Sequence, residues 1–132
     1  MLAAGLLFVF GDANVCRAQG LAVSINVPFA FDAGGKTLPA GQYEIRALTA
    51  DGGGARLIQS KDRESSVILL TMPLEAKSGE LEPRLVFHRY GDHYFLAQVW
   101  MGGLSGRRLF VSKREKEMAR TEISTELALY GK

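Results

Sequence analysis

From Leu21 to Phe31 every odd position is apolar: Leu21, Val23, Ile25, Val27, Phe29 and Phe31, with Ala22, Ser24, Asn26, Pro28 and Ala30 between them. A period of two puts such a set on one face of an extended strand, which no helix can do. The chain must then supply further strands to cover that face. Pro28 has no N–H to give a ladder, which predicts an edge strand or a break at that point.

The same alternation returns downstream. Tyr43, Ile45 and Ala47 alternate with Gln42, Glu44 and Arg46. Residues 56–60 (RLIQS) and 66–72 (SVILLTM) flank a polar KDRES and read as a hairpin, the second arm central because both of its faces are apolar. Residues 50–55 (ADGGGA) and 73–83 (PLEAKSGELEP) read as loops. Two aromatic-rich runs meet at Gly91-Asp92, a two-residue hairpin signal. A second turn, GGLSG (102–106), leads to RRLFV. Ser112 and Glu115 have capping-box spacing: the serine accepts from the N3 amide and the glutamate reaches back to the serine N–H. That opens a short, solvated helix, KREKEMAR. From Thr121 the period falls to two again, with Ile123, Thr125, Leu127 and Leu129 on one side of a last strand. The fold class that follows is all-β: an antiparallel sandwich or small barrel of about eight strands, with one short helix before the last strand.

The first residues are of another kind. Leu2–Phe10 is an apolar run of signal-peptide length, far short of the roughly 20 residues that cross a bilayer. Cys16 and Ala18 set small residues three and one positions before Gln19. The expectation is an export signal over 1–18 and a single β domain over 19–132, with no integral membrane span after cleavage. No Lys or Arg precedes the apolar run, so the start codon and cleavage site stay open. Cys16 as a lipid anchor is the lesser exported alternative, because Ala13-Asn14-Val15 departs from a lipobox. Cleavage after Ala18 removes the sole cysteine, so about 114 residues must hold together by burial alone.

No reactive constellation assembles. Gly35-Lys36-Thr37 mimics the end of a phosphate loop, but the position five before Gly35 is Ala30, and Leu-Pro-Ala-Gly and a strand follow where a helix is required. No G-x-S-x-G occurs, and Ser105 lacks a nucleophile elbow. Glu75, Glu80 and Glu82 share one loop with nothing to split their acidities. His88 and His93 fall on one face of the Gly91-Asp92 hairpin, one diagonal step apart, yet no third local ligand joins them for a zinc site. Residues 107–120 hold six basic and two acidic side chains, best read as a solvated face with weak attraction to anionic envelope surfaces. Secretion and a net charge of only +2 argue against a nucleic-acid partner. No catalytic, metal or cofactor residue is expected.

NVPFAF, GGKTLPAGQYEI, LVFHRYGDHYFLAQVW and SKREKEMAR, taken together, resemble a family of small exported bacterial β proteins of uncharacterised function, from about Val23 to the last strand. The resemblance implies the exported class and brings no activity or site. The expectation is a non-catalytic secreted or periplasmic β domain that binds an envelope or extracellular partner. Its anticipated contact residues are Pro28 and Phe29 at the sheet edge and His88, Tyr90, Asp92 and His93 at the hairpin tip. A carrier of a small apolar ligand inside a closed barrel is the alternative. A metal-dependent hydrolase built on the two histidines ranks last.

Overall fold

The computed structural model describes residues 22–48, 53–76 and 82–131 of the chain. The stretch 1–18 expected to be an export signal, Cys16 within it, and Leu21 lie outside these residues, as do parts of the two loops expected at 50–55 and 73–83. The strands are β1 (Ala22–Val27), β2 (Phe31–Ala33), β3 (Lys36–Leu38), β4 (Gly41–Ala47), β5 (Ala55–Ser60), β6 (Ser66–Glu75), β7 (Arg84–Tyr90), β8 (His93–Trp100) and β9 (Ser105–Leu109). A helix, α1 (Lys113–Met118), precedes β10 (Thr125–Tyr130). The ten strands exceed the expected eight by the short pair β2 and β3.

The main ladder runs β1-β4-β5-β6-β9-β8-β7-β10, with the β2–β3 hairpin set against β8 through one parallel pair, Asp32 with Phe95. It bends over on itself at β6. Ser66–Gln59 to Leu70–Ala55 pairs β6 with β5, and Thr71–Leu109 to Glu75–Ser105 pairs it with β9. The two halves face each other across one core. Val23, Ile25, Tyr43, Ile45, Ile58 and Leu69 come from one half, and Leu85, Phe87, Leu96, Val99 and Leu109 from the other. Among the described residues no ladder joins β1 to β10, so the sheet is not closed into a barrel. The ends do meet: the backbone at Gly131 lies so close to Ile25 and Ser24 that no side-chain carbon fits.

The alternation from Val23 onward reaches the core as expected. The chain breaks at Pro28 and crosses from one half to the other, while Val23, Ile25, Val27 and Phe31 all stay buried. Gly34 and Gly35 both adopt positive φ, so Gly35-Lys36-Thr37 is the turn and first residues of a primed hairpin and not a phosphate cradle. The Leu-Pro-Ala-Gly-Gln-Tyr stretch is a folded corner: Leu38 and Tyr43 are both buried, and the Tyr43 hydroxyl donates back to the Pro39 carbonyl. Burial and the charge of Asp62 push the Tyr43 pKa up, which keeps that hydroxyl a donor. At Gly106 an added Cβ would lie 2.5 Å from the Trp100 ring, so only glycine lets β9 pass.

Four expectations are corrected. β6 continues through Pro73 where a loop was expected, because Thr71 sends its N–H to Gly54. Alternation turns position 73 the same way, beyond the start of β5, where no N–H is needed. β6 does lie centrally, but its outer face is bare: Ile68 is 57% and Leu70 66% exposed. The last strand begins at Thr125, and Ile123 is left in the preceding turn, 90% exposed. The basic stretch 107–120 is not wholly solvated either, since Arg107 is half-buried and Glu115 is buried at 5% exposure.

Candidate functional site

The hairpin forms at Gly91-Asp92 with Gly91 at positive φ, and it pairs Tyr90 with His93 and His88 with Phe95. On β7, Leu85 and Phe87 face the core, so His88 and Tyr90 face outward. α1 and the chain before it cover that outward face. The helix starts because Ser112 accepts from the Glu115 amide at 3.2 Å. The other half of the expected capping box is absent. The Glu115 side chain turns away from the serine to take His88 Nδ1 at 2.8 Å and the Tyr90 hydroxyl at 2.9 Å on one oxygen, Oε2. A buried carboxylate needs donors, and two from β7 satisfy it better than one exposed amide.

Glu126 of β10 pairs with His88 across the ladder, and its Oε2 lies 4.0 Å from His88 Nε2. The imidazole thus has a carboxylate at each nitrogen. Its pKa is raised, chiefly by the Glu115 hydrogen bond; burial opposes this, and the charges of Glu115 and Glu126 add to it. The Tyr90 pKa is also raised, first by burial and then by its bond to Glu115. One residue before Glu115, Arg114 reaches Asp32 at 3.1 Å, tying the helix to β2 as well.

This arrangement forms a clasp: His88 and Tyr90 together hold Glu115, and with it α1, against β7. The cavity beside Glu115, Asp32 and Phe95 is about 10 Å3, room for one water at most. Among the described residues no three His, Cys, Asp or Glu side chains group as metal ligands.

The anticipated contact residues are dispersed in role. Pro28 is exposed, but Phe29 is drawn inward, stacked on Tyr94 at 3.7 Å and edge-on to Phe87 at 5.1 Å. Tyr90 is buried and His88 engaged, leaving Asp92 and His93 as the exposed tip. Three features escaped the sequence reading: Glu115 as a buried anchor, the bare face at Ile68 and Leu70, and Arg56 turned inward. The last had a signal. Arg56 and Ile58 are two apart on one strand, so burying Ile58 takes Arg56 to the same side.

A second feature of the surface is an apolar groove of about 320 Å3, lined by Ile68, Leu70, Leu109, Phe110 and Val111 with Gly34 and Gly35 at its end. Phe110 and Val111 leave the ladder where β9 ends and are 59% and 48% exposed. No family model, curated protein or solved structure matches the chain.

Proposed function

We propose that the chain is a non-catalytic, exported β domain that works by binding within the cell envelope, seating its outer β6 face on an anionic lipid surface. The observation that carries this reading is the contiguous exposure of Ile68, Leu70, Phe110 and Val111 around one groove. Exposed apolar clusters of this kind are interaction surfaces in soluble proteins. The rim supplies the sign of the partner. Arg108 pairs with Met72 on the same face as Leu70, Lys36 bonds to the Ser66 carbonyl at its near end, and exposed Lys113 follows the groove. Glu44, two strands away, is already held by Arg46 at 3.3 Å. Apolar side chains inside a basic margin match the boundary between acyl chains and acidic headgroups. No helix among the described residues is long and apolar enough to cross a membrane.

The carrier alternative places a small apolar ligand inside a closed barrel; against it stand a sheet that no β1–β10 ladder closes among the described residues and a centre packed with Phe31, Tyr43, Ile45, Ile58, Leu85 and Phe87.

Sedimentation with vesicles tests the proposal. Vesicles containing phosphatidylglycerol should pull the chain down, phosphatidylcholine vesicles should do so far less, and added salt should release it. Leu70→Glu and Phe110→Glu should abolish binding while leaving the melting temperature within a few degrees, because both side chains are already in water. Equal recovery with both vesicle types, or full binding by the two variants, rejects the reading.

A further inference from the structure

Arg56 pairs with Ala47 and with fully buried Leu69, and Arg107 lies between Pro73 and buried Val99. Register therefore sends both guanidinium groups between the two halves of the sheet, one from each, at the end where β6 changes partners. Arg56 is 8% exposed. Its Nη1 donates to the Gly53 and Ala55 carbonyls, while its buried Nε has no partner. Arg107 spends Nε on the Thr71 hydroxyl at 2.9 Å and Nη2 on the Thr71 carbonyl at 3.3 Å. Among the described residues neither arginine forms an ion pair with a carboxylate. Burial, and then the like charge of Arg107, lower the Arg56 pKa. Arg56 is the buried member of the pair and Arg107 is half-buried; a buried cation with no counterion is costly unless an anion joins it.

They line one cavity of about 260 Å3, with Val99 and Met101, on the same face as Arg107, as its apolar walls. Glu75 also borders it but pairs with neither arginine. We infer that this cavity binds a small organic carboxylate, its oxygens on Arg56 and Arg107 and its apolar body against Val99 and Met101. A planar guanidinium fork fits a carboxylate, and apolar walls suit a ligand body better than the water shell of a free inorganic anion. A cavity of about 150 Å3 holds one benzene, so by proportion the site takes about ten non-hydrogen atoms. Benzoate and hexanoate are of that scale. The site is separate from the β6 face and does not depend on it.

The purified chain is melted in benzoate, hexanoate, inorganic phosphate and sodium chloride at matched ionic strength, and in methyl benzoate. Benzoate and hexanoate should raise the melting temperature, whereas chloride, phosphate and the ester should not. Arg107→Gln should weaken benzoate binding at least about tenfold, the loss expected for one charge-assisted hydrogen bond. Arg56→Met should melt no lower than the parent and show no benzoate response. If that variant does not fold, the comparison of acid with ester on the unmodified protein decides. A phosphate response equal to benzoate, an ester response equal to the acid, no shift above chloride, or full affinity in Arg107→Gln would overturn the inference.

Discussion

Glu115 is the side chain on which most of the helix's attachment rests. It sits at the N3 position of a six-residue helix and spends its carboxylate on two β7 donors and not on its own helix. Replacing it by Gln keeps the shape and removes the charge, which should cost about 1–3 kcal/mol by leaving donors poorly matched; chemical denaturation measures this. The sign of the pH effect follows from His88. Its folded pKa lies above the ordinary 6.5, so its stabilisation is complete below that value and drains away as pH rises through the folded one. The melting temperature of the parent should therefore fall relative to that of His88→Gln as pH rises above the ordinary 6.5 and through the raised folded pKa. Parallel curves for the two proteins would show that the clasp carries no proton linkage.

At the level of elements, α1 is too short to persist by its own hydrogen bonds. It forms because Ser112 caps it and because Glu115 and Arg114 pin it to β7 and β2. Ser112→Ala should cost about 1 kcal/mol. It should also raise amide exchange in the Lys113–Met118 backbone well before that of β7, a difference resolved by hydrogen exchange. Uniform protection loss in both elements would mean that the helix is not a separately anchored unit. β6 is the other element with a special role. By pairing with β5 through its first half and with β9 through its second, it makes one sheet of two layers.

That sharing has a consequence for the molecule as a whole. Neither layer can keep its inner face covered without the other, since the core draws on both. Unfolding should then be a single transition. Trp100, the sole tryptophan, reports on the β8–β9 half, and far-UV circular dichroism reports on all strands. Their denaturation midpoints should coincide. Midpoints that separate would show that the bend at β6 divides the chain into independently stable parts.

The local alternation of apolar and polar residues was enough to establish a β fold, the break at Pro28, the β5–β6 and β7–β8 hairpins, the Gly35-Lys36-Thr37 turn and a short helix before the final strand. Each depends on neighbours within a few positions, where side-chain direction is dictated by backbone period. The partnership of His88, Tyr90 and Glu115, the meeting of Arg56 and Arg107 at one cavity, and the bare face at Ile68 and Leu70 depend on which distant strand arrives alongside. A capping serine with a glutamate three residues on looks the same whether that glutamate bonds its own helix or a histidine 27 residues away. An apolar residue on β6 likewise reads as buried until the fold leaves nothing above it. Tertiary packing decided these because burial is a property of the space around a side chain, and the order of residues fixes only which way each one points.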